Sequence, residues 1–228
     1  MSTTPLSLAD VLRPVKHVFL DFDGPVCSVF AGLPAPEVAQ RLRAYLLAAG
    51  GQVPTGGDTE ADPLALLRLV ADTRPDLVPT TDLALAQLEE EAVSLGEPNI
   101  GGASVMHACT ETGRSVWIVS NNATSAICAY LVKHDLAVHV AGVFGRVHGN
   151  PSSMKPNPRL LLDAMDAAGA KATECIFIGD AVRDVEAGHA AGVATIGYAN
   201  KPGKEARLTA ARAVLVVDSM QLIADSLT

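Results

Sequence analysis

Two carboxylates one residue apart, Asp21 and Asp23, close the apolar run Val18-Phe19-Leu20 and are followed by Gly24. Side chains at i and i+2 leave a strand on the same side, so both acids can face one small site. Two carboxylates about 4 Å apart repel by roughly 4 kcal/mol at an effective dielectric of 20. A hard divalent cation such as Mg²⁺, which takes oxygen ligands, would relieve that repulsion. The competing reading of these four residues alone is a solvated turn, because Asp and Gly are ordinary turn residues.

Three more polar groups recur at the same kind of place. Val116 to Val119 is an apolar run ending in Ser120-Asn121-Asn122, and Cys175 to Ile178 is another, ending in Gly179-Asp180 with Asp184 close behind. Between them Lys155-Pro156-Asn157-Pro158 precedes a helical pattern. Apolar runs alternating with helical segments predict an α/β fold, a doubly wound parallel sheet covered on both faces. Ligands of such sheets sit beyond the carboxyl ends of the strands, so Asp21, Ser120 and Asp180 are expected to converge.

The helical patterns are not evenly spread. Helices are expected from Pro36 to Ala49, from Leu64 to Ala71 with Asp62 as N-cap, and from Asp82 to Leu95 with Thr81 as N-cap. From Gly101 the α/β rhythm returns, with strands expected at 116–119, 140–144, 175–178, 194–197 and 214–217. Residues 30–98 carry four Arg, no Lys and eleven Asp or Glu, whereas the rest of the chain is nearly neutral. An acidic helical insert in a neutral α/β frame reads as a separate unit. The expected division is a core of 1–29 and 99–228 with a small all-helical domain, 30–98, inserted after the first strand.

The 228 residues are 49% hydrophobic and 18% charged with a formal net charge of −8. That charge argues against nucleic acid as a partner. No stretch of about 18 uncharged apolar residues is present to span a bilayer, and Met1 to Pro14 lacks the pattern of a signal peptide. The four cysteines, 27, 109, 128 and 175, show no CxxC or zinc spacing. A cytoplasmic monomer or homodimer is the expectation.

The ordered set resembles the haloacid dehalogenase superfamily, in its phosphohydrolase branch. Asp21-Phe22-Asp23-Gly24 fits the first motif of that family, Ser120 the second, Lys155 the third, and Gly179-Asp180 through Asp184 the fourth. The resemblance implies a phosphatase with a C1 helical cap, similar to phosphoglycolate phosphatases, in which residues 30–98 close over the site. It implies Asp21 as the nucleophile that forms an aspartyl-phosphate and Asp23 as the acid and base. Ser120, Asn121 through its backbone N–H, and Lys155 would bind the phosphoryl group. Asp21, the Asp23 carbonyl, Asp180 and Asp184 would hold Mg²⁺, with Asp184 either a direct ligand or a supporting group. Asp23 itself favours phosphate esters over haloacids, whose leaving group needs no proton. The partner is then a small-molecule phosphate ester.

Two other functions share these residues. A sugar phosphomutase of the same superfamily would return the phosphoryl group to its substrate, and a signalling domain would hold a phosphoaspartate without turnover. Arg41, Arg43, Arg68 and Arg74 are possible contacts for a second anionic group, against the plainer role of solvated surface charge.

Overall fold

The computed structural model describes residues 7–228, so the first six residues of the expected core segment lie outside the described residues. In chain order the elements are α1 (Leu8–Leu12), β1 (His17–Leu20), β2 (Cys27–Ser28), α2 (Ala35–Ala48), α3 (Pro63–Thr73) and α4 (Val78–Ser94). They continue with β3 (Glu97–Pro98), α5 (Ile100–Glu111), β4 (Ser115–Ala123), α6 (Thr124–Lys133), β5 (Val140–Arg146) and α7 (Arg159–Ala168). The remainder is β6 (Cys175–Gly179), α8 (Val182–Ala191), β7 (Ala194–Tyr198), α9 (Lys204–Ala210), β8 (Leu215–Val217) and α10 (Met220–Leu227).

Six strands form one sheet in the order β5-β4-β1-β6-β7-β8, and every pairing in it is parallel. Strand β1 lies between β4 and β6, with Leu20 opposite Ile118 on one side and Ile178 on the other. The chain turns outward in both directions from β1, which makes its carboxyl end the switch point where a crevice forms. The period of two explains the burial on both faces. Val18, Leu20, Ile118, Ile176 and Ile178 enter one core layer, and Phe19, Val119, Cys175 and Phe177 enter the other with Leu160 and Leu161 of α7.

Helices α2, α3 and α4 meet around Leu46, Val70 and Val78. They also share the main core, because Val38, Leu42, Leu66, Leu67 and Leu85 belong to the same buried cluster as Val18 and Leu20. The two short strands β2 and β3 pair antiparallel where the chain enters and leaves this helical segment.

Several boundaries differ from expectation. Helix α4 starts at Val78, and Thr81 is not its cap: the Thr81 hydroxyl donates to the Leu77 carbonyl at 2.8 Å from inside the helix. A 3₁₀ turn over Pro75–Leu77 runs straight into α4, and Pro79 sits in the first turn where its missing N–H costs nothing. Strand β4 continues through Ser120, Asn121 and Asn122, with an irregularity in its pairing to β5 between Val119 and Ala123. Asp62 does cap α3, accepting from the Leu64 N–H at 2.9 Å. Helices α1, α9 and α10 were not legible as elements, being five, seven and eight residues long and too short for a clear period.

Candidate active site

Asp21 follows the last residue of β1, its N–H donating to the Ile178 carbonyl at 2.9 Å as if the strand ran on. One carboxylate oxygen, Oδ1, accepts from the Phe22 N–H at 2.7 Å and lies 2.9 Å from Lys155 Nζ. The other, Oδ2, takes no hydrogen bond among the described residues. The side chain therefore keeps one oxygen for chemistry while the other is held. Gly24, at φ 107°, completes the turn. A Cβ on it would run into the Asp180 carboxylate, so the turn demands glycine for both backbone and space.

Lys155 is buried, and its ammonium reaches three acceptors: Asp21 Oδ1 at 2.9 Å, Asp184 Oδ1 at 2.7 Å and the Val119 carbonyl at 3.1 Å. The Val119 contact is a hydrogen bond, and the two carboxylate contacts are ion pairs. Its ammonium stands over the face of Phe177, Nζ lying 5.1 Å from the ring centroid. The Asn121 side chain brackets the Lys155 backbone, accepting from its N–H at 2.8 Å and donating to its carbonyl at 3.2 Å. Arg68 of α3 donates to the same carbonyl at 3.1 Å. Asn157, just before the Pro158 N-cap of α7, accepts through Oδ1 from the Arg159 N–H at 2.9 Å.

Asp184 lies in the first turn of α8, and its Oδ2 accepts from the Ala181 N–H at 2.9 Å. Asp180 follows β6, where Lys204 and Asn200 both engage its Oδ2. Oxygens of Asp21, Asp180 and Asp184 all lie within 4.8 Å of one another. Three carboxylates against two ammonium groups leave an excess of negative charge on hard oxygen donors, the set that suits Mg²⁺. The Asp23 side chain stands outside this cluster: its Oδ1 accepts from the Val29 N–H at 3.0 Å.

Burial pushes the Asp21 carboxyl up to about 7, with Asp184 and Asp180 adding to the rise and Lys155 opposing it. Burial likewise raises Asp23, to about 6, against the Val29 N–H and the two lysines at 201 and 204. For Lys155, burial alone would favour the neutral amine, but the carboxylates of Asp184 and Asp21 outweigh it and hold the proton.

Ser120 lies beside these groups. Its hydroxyl donates to Asn122 Oδ1 at 3.1 Å and accepts from the Asn122 N–H at 3.3 Å. Asp21, Ser120 and Lys155 line an inner cavity of about 70 Å³ together with Asp23 and Asp180. That volume holds several waters or one small tetrahedral group, not a whole metabolite. A larger cleft of about 580 Å³ lies against it, and Asp23, Asp180 and Arg183 border both.

The residues that support this loop were not identified from the sequence. Glu89 of α4, fully buried, accepts from Asn122 Nδ2 at 3.0 Å and from the Ala123 N–H at 3.0 Å. Arg146 at the end of β5 pairs with Glu89 through two nitrogens, at 3.0 and 2.9 Å, and with Asp82 at 2.6 Å. It also donates to the Asn121 carbonyl at 2.8 Å. Asp82 and Glu89 are seven residues apart on one helix, two turns, and face one buried guanidinium. That spacing was the available signal, hidden by the acidity of the whole segment. The four arginines considered for a second anion are otherwise engaged: Arg41 with Glu91, Arg43 with the Glu60 carbonyl, Arg74 with Asp76, and Arg68 with Lys155.

Residues 76–198 match the family model described as haloacid dehalogenase-like hydrolase. A phosphoglycolate phosphatase from Xylella fastidiosa is 26% identical over 193 residues, covering 78% of this chain and 77% of that protein. Among solved structures, a haloacid dehalogenase-like hydrolase described as putative, from Bacteroides fragilis, superposes with TM-score 0.70 at 17% identity, over 91% of this chain and 98% of the other. A protein described as a putative β-phosphoglucomutase, from Bacteroides vulgatus, superposes with TM-score 0.68 at 17% identity over 98% of both chains. At these identities the superpositions establish the shared fold.

Proposed function

Because this chain belongs to the haloacid dehalogenase-like hydrolase family, we propose that it is a Mg²⁺-dependent phosphatase that cleaves a small-molecule phosphomonoester through an aspartyl-phosphate. Residues 30–98 are the helical cap of this reading, and residues 1–29 and 99–228 its catalytic core. The observation that supports it most is the position of Asp23 on the border between two cavities. The inner one, with Asp21 and Lys155, suits a phosphoryl group, and the outer cleft suits the group that leaves.

The free Oδ2 of Asp21 attacks phosphorus, and the bond to the ester oxygen breaks with its electron pair going to that oxygen. Asp23, with a pKa near 6, gives its proton to the departing oxygen. Water entering from the outer cleft then attacks the aspartyl-phosphate, and Asp23 takes the water's proton. Asp21 is released as carboxylate and phosphate departs. Lys155 opposes the rise that burial, Asp184 and Asp180 impose on the Asp21 carboxyl, and so favours its ionised form. Ser120 and the neighbouring backbone hold the phosphoryl oxygens, orienting them for in-line attack. Asp21, Asp180 and Asp184, with the Asp23 carbonyl, would hold the cation, which supplies positive charge opposite the phosphoryl oxygens when bound.

The four unpaired thiols fit a reducing compartment such as the cytoplasm. Among the described residues no helix is long and apolar enough to cross a membrane. Release of inorganic phosphate from p-nitrophenyl phosphate, lost in Asp21→Asn and on chelation of divalent metal, is the expected result. No release from any member of a broad phosphomonoester panel would overturn the assignment. Isomerisation of glucose 1-phosphate without phosphate release would mark the phosphomutase instead.

A further inference from the structure

The outer cleft carries a charge pattern unlike the rest of the protein. The chain has a net charge of −8, yet four cationic side chains, Arg183, Lys201, Lys204 and Arg207, line this one cleft of about 580 Å³. The acids on its wall are Asp23, Asp180 and Glu97. Lys204 is paired with Asp180, and Arg183 stands 3.9 Å from Asp62. Lys201 and Arg207 form no ion pair among the described residues. Both lysines line the same cleft as Asp23, the residue at which the leaving group departs.

The positions come from two separate stretches. Arg183 lies in the first turn of α8, while Lys201 lies in the turn from β7 into α9, Lys204 opens α9 and Arg207 follows one turn further along it. All four belong to the core segment, and the cleft is also lined by Ser28, Phe30, Ala31, Ala35 and Glu97 where the chain enters and leaves the helical segment. Those residues contribute one acid and no cation. A cleft within the ordinary size of small-ligand sites, lined by these cations and joined to the phosphoryl cavity at Asp23, is suited to a leaving group with its own negative charge.

We infer that Lys201 and Arg207 form a subsite for a second anionic group, a carboxylate or a phosphate, on the alcohol portion of the substrate. This rests on the phosphatase reading and adds the substrate class: esters whose leaving group is anionic, read by the core and not by the arginines of the helical segment.

The test uses the full-length Asp21→Asn protein with MgCl₂, in which bound ester is not turned over. Dissociation constants are measured by calorimetry for three compounds of similar length: ethyl phosphate, 2-phosphoglycolate and ethylene glycol bisphosphate. The expected result is that at least one anionic compound binds about tenfold more tightly than ethyl phosphate, a difference of about 1.4 kcal/mol. Which one does so identifies carboxylate or phosphate as the second group. In the added double variant K201A/R207A the preference should fall to about one, and in K201R/R207K it should persist. Equal binding of all three, no binding of any, a preference that survives K201A/R207A, or one lost in K201R/R207K would each overturn the subsite. Phosphate release by the wild-type protein from p-nitrophenyl phosphate is read separately, so failure of the phosphatase reading is told apart from failure of the subsite.

Discussion

A carboxyl group that gives a proton to a leaving oxygen and later recovers one from water works best with a pKa near the working pH, and burial carries Asp23 to about 6. The first step needs the protonated form. For an alkyl phosphate, whose alkoxide is a poor leaving group, kcat/KM measured with saturating Mg²⁺, which favours ionised Asp21, should fall as pH rises through about 6. Asp23→Asn should lower kcat for an alkyl phosphate by roughly 10²–10⁴. The loss should be smaller for p-nitrophenyl phosphate, because p-nitrophenolate departs without a proton; steady-state kinetics on the two esters would measure the ratio. Asp21 makes a different statement, about folding. Its carboxyl is raised to about 7 in the fold, against about 3.9 in an unfolded chain. Between those values the folded state binds more protons, so stability from this group declines as pH rises from about 4 to 7 and stays lower above. Metal-free protein should therefore lose melting temperature between pH 5 and pH 8, and Asp21→Asn should lose less; thermal scans of both at the two pH values check the difference.

Elements position these residues through contacts that are polar as much as apolar. Helix α4 is held to β4 and β5 by the buried set Asp82, Glu89, Arg146 and Asn122. Removing one partner of a buried ion pair strands the others, at about 3–5 kcal/mol. Arg146→Met should cost that much in urea unfolding, since two carboxylates lose their counter-ion together. Glu89→Gln should additionally lower kcat for any ester, because Asn122 and Ala123 hang from that carboxylate beside Ser120; comparing kcat with stability separates the two effects. Phe177 is an apolar counterpart. Buried on β6 beneath the Lys155 ammonium, it should cost about 3–5 kcal/mol as Phe177→Ala. These contacts also explain which boundaries were legible. Strands β1, β4 and β6 are runs of apolar residues and could be read directly. The start of α4 and the length of β4 could not, because Thr81 and Ser120-Asn121-Asn122 carry turn-type side chains whose preferences yield to tertiary partners.

For the whole molecule, a ligand bound only by the folded state stabilises it by mass action, about 2.7 kcal/mol at one hundred times its dissociation constant. Mg²⁺ should therefore raise the melting temperature of the wild-type protein, more at pH 8 than at pH 5 because protons compete for the same carboxylates. Asp180→Asn should reduce that rise, and differential scanning fluorimetry with and without MgCl₂ would detect it. The parallel sheet and the convergence of Asp21, Ser120 and Asp180 on one cavity were determined by the sequence itself. Apolar runs of strand length dictate buried strands, and acids placed where such runs end have one edge of the sheet to occupy. Only the tertiary structure decided what surrounds them. Glu89 meets Arg146, and Arg183 meets Lys201 and Arg207 around one cleft, because strand order and helix crossing bring distant charges together. Local periodicity reports which face a residue turns inward, and carries no information about which other charge it will find there.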